Sequence, residues 1–293
     1  MASLIALMRP FALVIVAFII AAAFPWALCS DCDAPLMPEL TIFWAIIPLI
    51  FLFEGLALPS EAVAAAARRV VTHSVALTFN LALIPFMVAT FLSLASSWHG
   101  LISSETRDGY LALSCVPTTT SMCVMHSNAA GGNSSLAAFV ALLGNILAVM
   151  VTPLLLGHLC KTSDVDFALL ALSVAGKMFV PLLLGQILRP FVGALLAAHR
   201  AHVQTINKLL VSCLLLQIFS DIFYWGAAVS PTMLALILPS VAVLHLLFLS
   251  LAWAVGRMLL RLSATDCVPF MFASAQKTVV LGLPLLRDRK SVV

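Results

Sequence analysis

Apolar stretches long enough to cross a membrane recur along the whole of this chain. A helix needs about 20 mostly apolar residues to span a bilayer. Charged residues make up only 9% of the 293 residues, against about 25% in a soluble domain. We therefore predict an all-α polytopic membrane protein with a single transmembrane domain over residues 1–293. Its predicted spans lie near 10–28, 40–58, 71–94, 109–128, 133–157, 165–189, 205–225, 231–258 and 266–286.

The lysines and arginines predict how the chain is oriented, because short loops rich in these residues stay cytoplasmic. With the N-terminus inside, the outer loops hold only Arg107 and Lys161, whereas the inner loops hold most of the remaining basic residues. We predict a cytoplasmic N-terminus, in either the plasma membrane or an internal membrane. The charged start at Arg9 leaves a cleaved signal peptide as an alternative to a retained first span.

The fourth span contains a polar run where a membrane helix should be apolar. Irregular backbone at this depth survives only if it is buried in protein or lines a cavity. Pro117 has no N–H group, so the carbonyl groups before it lose their helical partners and become available to a cation. The run consists of Pro117, Thr118, Thr119, Thr120 and Ser121, then His126, Ser127 and Asn128, then Gly131, Gly132 and Asn133.

This run predicts a helix broken at Pro117 and a tight turn at Gly131 and Gly132. Asn133 is suited to cap the helix that follows the turn. Serine and threonine in membrane helices often bond only to their own backbone, but so many polar positions together favour a binding site. His126, close to the break, is either a proton carrier or a satisfied histidine between helices.

The ninth span has a second polar run, Ser274-Ala275-Gln276-Lys277-Thr278, with Pro269 before it and Gly282 and Pro284 after it. A lysine at membrane depth costs about 2.5–3.5 kcal/mol on insertion scales, so it needs a partner or a wet cavity. The partners we consider for Lys277 are Glu54, Asp221 and the oxygens of the threonine run. Asn145 and Gln186 are expected to bridge helices.

The two breaks fall in the fourth member of two successive groups of spans. One group covers about 10–157 and the other about 165–286. Because five spans is an odd number, two such repeats insert with opposite orientation, and broken helices at matching positions mark the binding site of such transporters. The order of the spans therefore predicts two inverted repeats.

The cysteines and histidines point to no metal site. Cys29 and Cys32 have C-x-x-C spacing in a predicted outer loop, where free thiols are the default and a disulfide or metal clip is the alternative. The histidines lack ligand spacing. We predict neither a metal nor a cofactor, apart from sodium as a candidate coupling ion.

Four motifs, in order along residues 10–286, resemble the bile acid:sodium symporter superfamily, and most of all the branch around the seventh member of solute carrier family 10. The resemblance implies a ten-helix fold of two inverted five-helix repeats, a panel domain, and a core domain in which the fourth and ninth helices cross where they unwind. It also implies sodium-coupled uptake of organic anions such as bile acids. The motifs are Ser114 to Thr119 with Ala129 to Asn133, Thr152 to Leu155, Val180 to Pro190, and Ser274 to Thr278 with Gly282 to Pro284.

The chain departs from the pattern of the sodium-coupled members. They place a serine-asparagine pair and a glutamate as sodium ligands where this chain has Met122, Cys123 and Phe272. The resemblance to the seventh-member branch also implies that the ammonium of Lys277 stands in for a sodium ion. Since the chain ends where a tenth helix should begin, we expect the second repeat to be incomplete.

We predict a secondary transporter that moves a small organic anion by alternating access within the lipid bilayer. An alternative is a membrane regulator, for example of calcium handling, that keeps the fold without moving cargo. An enzyme is not predicted, because no paired acid and base or metal cluster lies at depth, and no nucleic-acid partner is expected. The oligomeric state is left open. The predicted substrate-binding or ion-binding residues are Pro117, Thr118, Thr119, Thr120, Ser121, Asn133, Ser274, Gln276, Lys277 and Thr278, with Glu54, His126 and Asp221 as candidate proton or ion partners.

Overall fold

The computed structural model of the chain describes residues 12–30, 32–57, 68–95, 104–159, 172, 175–225 and 231–278. Within these ranges every regular element is a helix. The main helices are α1 (Ala12–Ala23), α2 (39–57), α3 (70–95), α4 (Ser104–Cys115), α5 (Thr120–Ala129), α6 (Ser134–Leu159), α7 (175–198), α8 (Arg200–Tyr224), α9 (231–259) and α10 (Ala264–Ala275).

The prediction of a polytopic helical membrane protein is confirmed. Among the described residues, six helices are long and apolar enough to cross a membrane: α2, α3, α6, α7, α8 and α9. The other three predicted spans are shorter for separate reasons. The first begins outside the described residues and continues as α1. The fourth is divided into α4 and α5, and the ninth is described only as far as Thr278.

The sixth predicted span extends beyond its predicted end. We placed that end at Arg189, before Pro190, but α7 continues through Pro190 to Ala198. A proline in a membrane helix is tolerated where neighbouring groups satisfy the freed backbone. The prediction for this boundary was therefore wrong by about two turns.

The C-x-x-C pair also differs from its default prediction. Cys29 and Cys32 form a disulfide, where the sequence favoured free thiols. The same loop is fixed to the end of α8, because the N–H and hydroxyl of Ser30 both donate to the Asp221 carboxylate. Trp225 Nε1 donates to the Ser30 carbonyl over 3.0 Å. This short segment is therefore held both covalently and by hydrogen bonds.

The described helices divide into two compact units, while the single transmembrane domain stays a prediction. The first unit covers residues 1–57 and 176–234, and the second covers 58–175 and 235–293. The first unit therefore contains α1, α2, α7 and α8. The second contains α3 to α6, most of α9, and α10.

Two glycines allow helices to approach closely in the first unit. A side chain at Gly55 of α2 would collide with the backbone carbonyl of Leu182, and one at Gly185 of α7 would collide with that of Leu52. Small residues at helix crossings let membrane helices pack backbone to backbone. Gln186 Nε2 also donates to the Gly55 carbonyl, which confirms the bridging role predicted for Gln186.

The second unit is built around an apolar core that surrounds both breaks. Phe79 of α3, Leu111 of α4, Leu136 of α6, Phe248 of α9 and Phe270 of α10 are all buried in one cluster. Members of this cluster come from six helices, so the chain segments beside the breaks are packed on several sides.

Candidate functional site

The first break lies where the sequence predicted it. The helix α4 ends at Cys115, residues 116–119 are not helical, and α5 begins at Thr120. Pro117 cannot donate to a helical carbonyl and clashes with the preceding turn, which accounts for the interruption. The first turn of α5 starts with Cys123 N–H donating to the Thr119 carbonyl over 2.9 Å.

The second break follows the end of α10 at Ala275. Gln276 is extended, with φ −73° and ψ 152°, and the non-helical backbone continues through Lys277 to Thr278. Gly282 and Pro284, which we expected to bound this break, lie outside the described residues. Ser274 remains in the last turn of α10. Within the described residues, the helix of the ninth span thus ends at its polar run.

The two breaks meet. The backbone N–H of Thr278 donates to the carbonyl of Pro117 over 2.7 Å. Each break therefore satisfies one backbone group of the other, at a depth where water is scarce. Residues separated by about 160 positions in the sequence form one crossing.

Side chains of α6 satisfy the carbonyls of the first break. Thr152 Oγ1 donates to the Cys115 carbonyl over 2.8 Å. Asn145 Nδ2 lies 3.3 Å from the Thr118 carbonyl and 3.1 Å from Thr120 Oγ1. We expected the carbonyls before Pro117 to be available to a cation, but the Cys115 carbonyl accepts a hydrogen bond from the Thr152 hydroxyl instead. The bridging role predicted for Asn145 is confirmed.

Asn80 of α3 donates to the carbonyls of the second break, a role that we did not predict from the sequence. Its Nδ2 is shared among the carbonyls of Ala273, Ser274 and Gln276, at 3.2, 2.9 and 3.0 Å. Asn80 lies in the π-helical stretch Phe79–Leu83, and such stretches are frequent at functional sites. Asn80 is the one amide side chain of α3, and this was the signal that could have found it.

Lys277 also bonds to Asn80. Its Nζ donates to the Asn80 carbonyl over 2.7 Å and to Asn80 Oδ1 over 3.1 Å. Two of the partners that we considered for Lys277, Glu54 and Asp221, belong to the first unit. There Glu54 is buried in α2, and Asp221 accepts from Ser30 and from Gln217 Nε2.

A cavity of about 340 Å³ lies beside the crossing and is lined by residues of the second unit. Its apolar lining comes from α3, α4 and α9 and includes Val88, Leu113, Leu244 and Phe248. Ligand sites commonly combine such an apolar wall with a few convergent polar groups. The polar groups here are those of Tyr110, Ser114, Thr119, His126, His245, Gln276 and Lys277.

His126 connects the helix after the first break to the second break. Its Nδ1 lies 2.6 Å from Gln276 Nε2, and its ring centroid lies 5.4 Å from that of Phe272. The histidine is therefore hydrogen-bonded to a residue of the opposite break, which agrees with the reading of a satisfied histidine between helices. It also faces the cavity, where a proton carrier would have to lie.

Three buried polar atoms at the crossing have no hydrogen-bond partner within the described chain: Thr118 Oγ1, Ser274 Oγ and Gln276 Oε1. Thr118 and Ser274 are 2% and 0% exposed. Nearly all buried polar atoms in proteins have a partner, so such a group calls for a ligand, a solvent molecule or a strained role. The crossing is therefore rich in acceptors that the protein itself does not use.

The predicted binding residues whose side chains are described fall into three groups. Thr119, His126, Gln276 and Lys277 line the cavity. Pro117, Thr118, Thr120, Ser274 and Thr278 belong to the breaks or flank them. Ser121 lies in the first turn of α5, and its side chain lies outside the described residues.

Asn133 forms the third group, away from the cavity lining. Its Oδ1 accepts from the Leu136 N–H over 3.2 Å, so it caps α6 as predicted. Its Nδ2 donates to Asp266 Oδ1 over 3.1 Å, and Asp266 also forms an ion pair with Arg69. The preceding turn has Gly131 at φ 70°, a conformation that glycine adopts without strain. The structure thus places Asn133 at a helix junction.

Six helices long and apolar enough to span a membrane, together with two segments whose helices end at polar residues and meet there, are typical of a membrane transporter. The chain belongs to the SBF-like CPA transporter family, whose sequence model matches residues 9–288. This match covers both breaks and all ten described helices.

Several vertebrate proteins are similar to this chain. Sodium/bile acid cotransporter 7 of Danio rerio is 29% identical over 256 residues, which cover 86% of this chain and 76% of that protein. The Rattus norvegicus protein of the same name is 28% identical, over 86% of this chain and 75% of its own length. The one from Xenopus tropicalis is 29% identical over 260 residues, with 86% and 74% covered.

Proposed function

We propose that this protein is a secondary carrier that moves a small organic anion by alternating access. The observation that carries the proposal is the position of Lys277, whose amine belongs to the lining of a cavity at the crossing of the two breaks. The residues that line this cavity in the described chain include no carboxylate. A cation that faces a cavity at membrane depth marks a substrate pathway, and its charge favours an anion.

The lining favours a cargo that is apolar along most of its body. Val88, Leu113, Leu244 and Phe248 form much of the wall, whereas Gln276 and Lys277 concentrate polarity at the second break. An amphipathic anion, with an acidic group at one end and an apolar skeleton, matches this distribution. The bile acids in the names of the similar vertebrate proteins have this character, so we take a bile acid as the first cargo to test.

The order of the helices supports two repeats. The first two predicted spans of each repeat, α1 with α2 and α7 with α8, belong to the first unit. The later spans of each repeat, including both broken ones, belong to the second unit. In this proposal the repeats are inverted, and the second unit moves as one body during the transport cycle.

The test is uptake of radiolabelled taurocholate by proteoliposomes containing the purified protein, with and without an inward sodium gradient. We expect protein-dependent uptake, and the sodium arm tests sodium as the coupling ion. Lys277→Ala and Gln276→Ala should each reduce uptake to the level of protein-free liposomes. Lys277→Ala removes the charge that attracts the anion, and Gln276→Ala removes the amide beside it.

Lys208→Ala is the matched control, since Lys208 is an exposed lysine of α8 in the first unit. This variant should transport like the unchanged protein. Equal amounts of inserted protein, measured after reconstitution, exclude a folding defect in the cavity variants. Unchanged uptake in both cavity variants would refute the site. Absence of uptake in the unchanged protein would favour the alternative function, a membrane regulator that does not move cargo.

A further inference from the structure

We propose that the coupling ion of this carrier is a proton, bound at Nδ1 of His126 and sensed by the side-chain amide of Gln276. This inference rests on the proposed function, because it takes the cavity as the cargo site and adds the ion that travels with the cargo. It starts from one hydrogen bond between the two breaks and from one buried acceptor that this bond leaves unused.

The hydrogen bond between Gln276 and His126 fits a histidine that carries no proton on Nδ1. Gln276 Nε2 and His126 Nδ1 are 2.6 Å apart. An amide nitrogen can only donate, so Nδ1 is the acceptor, and the single ring proton of neutral His126 is on Nε2. In this arrangement Gln276 Oε1 is buried and has no partner within the described residues.

Protonation of His126 changes Nδ1 from a hydrogen-bond acceptor into a donor. A proton taken from water bonds to Nδ1, which then becomes a donor and can no longer accept from Gln276. A half-turn of the Gln276 amide about its last side-chain bond brings Oε1 to the new N–H. The oxygen that lacked a partner gains one, while Nε2 turns away from the imidazole. Loss of the proton to water restores the first arrangement.

The charges around the cavity link this proton to the cargo. The titratable groups that face the cavity with His126 are Lys277 from the second break, His245 from α9 and Tyr110 from α4. A second positive charge beside Lys277 is unfavourable unless an anion is present. Proton and anion therefore promote each other's binding, and by linkage the effect is reciprocal.

The chemistry near His126 agrees with a proton as the ion. Met122, one turn before His126 on α5, lines the same cavity, and the Phe272 ring lies against the imidazole. A thioether and an aromatic ring supply no oxygen ligand to a hard cation. Histidine is the side chain that takes up and releases protons between about pH 5 and 8.

Nuclear magnetic resonance of the whole protein in lipid nanodiscs, with histidine and glutamine labelled with ¹⁵N, tests this inference without a cargo. We expect the His126 ring nitrogens and the Gln276 side-chain amide to change together, with one shared midpoint, as the pH is varied over the range in which the protein stays folded. His126→Gln should abolish the change at Gln276. His202→Gln, at an exposed histidine of α8, should leave it intact. A Gln276 amide signal that is constant across this range would overturn the proposal.

Transport supplies the second test. In sodium-free proteoliposomes, an acidic exterior should accelerate taurocholate uptake by about fivefold or more, in the range of typical coupling between two ligands. A dye inside the vesicles should report proton entry with the cargo, and His126→Gln should lose both responses. Uptake driven by a sodium gradient but indifferent to a pH gradient would overturn the proton proposal and leave the carrier intact. Absence of uptake under every gradient would count against the proposed cargo, and the resonance titration would then decide the proton site by itself.

Discussion

The two breaks of the second unit cross each other, yet they are built differently. The first contributes threonine hydroxyls, and its carbonyls accept from Thr152 and Asn145 of one neighbouring helix. The second contributes an amide and an ammonium, and a single residue, Asn80, both donates to its carbonyls and accepts from Lys277. The carbonyls of the first break are therefore held by two side chains, whereas those of the second share one side-chain donor, which also bonds to Lys277.

This difference predicts that the second break is the more vulnerable of the two. Asn80→Leu removes the donor shared by three carbonyls and an acceptor of Lys277. We expect it to lower the free energy of unfolding by about 2–4 kcal/mol, because it leaves several buried polar groups, one of them charged, without partners. Unfolding by SDS in mixed micelles, followed by circular dichroism, measures the change. A loss below about 1 kcal/mol, the net value of a single hydrogen bond, would show that the second break does not depend on Asn80.

Asn145→Leu is the matched change at the first break. It removes the donor to the Thr118 carbonyl and to Thr120 Oγ1, but it exposes no charge. We expect a loss of about 1–2 kcal/mol in the same unfolding measurement, since side-chain hydrogen bonds in membrane proteins average about 0.6 kcal/mol each. An effect as large as that of Asn80→Leu would remove the asymmetry between the breaks.

The smallest expected losses of stability come from two threonines of the first break, one with a hydrogen-bond partner and one without. Thr152→Val removes the donor to the Cys115 carbonyl, which should cost about 0.6–1 kcal/mol in that assay. Thr118→Val replaces a hydroxyl that has no partner in the described chain, so stability should change by less than about 0.5 kcal/mol. If the two variants lost equal stability, the hydroxyl of Thr118 would have a structural role that these contacts do not account for.

The sequence predicted the local features of the site better than its long-range ones. Pro117 and the polar run around Lys277 located both breaks, because proline and polar groups at membrane depth have direct local consequences. Asn133 was correctly predicted as a helix cap. We also predicted that it binds cargo, because it is close in sequence to the first break, but α5 lies between them in the chain and Asn133 is not part of the cavity lining.

Of the three side chains that donate to the carbonyls of the breaks in the described chain, Asn145 was predicted to bridge helices, whereas Asn80 and Thr152 were not predicted from the sequence. Asn80 lies more than 190 residues from the carbonyls that it holds, and a single amide in an apolar span looks like an ordinary contact between helices. The disulfide of Cys29 and Cys32 was only the alternative prediction for a related reason, because C-x-x-C spacing permits a bond without requiring one. The end of α7 was missed because Pro190 signals a stop in water more reliably than in a membrane.

The two ends of the Asn80 side chain serve different neighbours, and this division has a mechanical consequence. Asn80 Nδ2 donates to the last turn of α10, while Asn80 Oδ1 and the Asn80 backbone carbonyl accept from Lys277 Nζ. A movement of Lys277 would therefore leave in place the hydrogen bonds that hold that turn. The position of the amine in the cavity can change while the backbone that carries it is still held by Asn80.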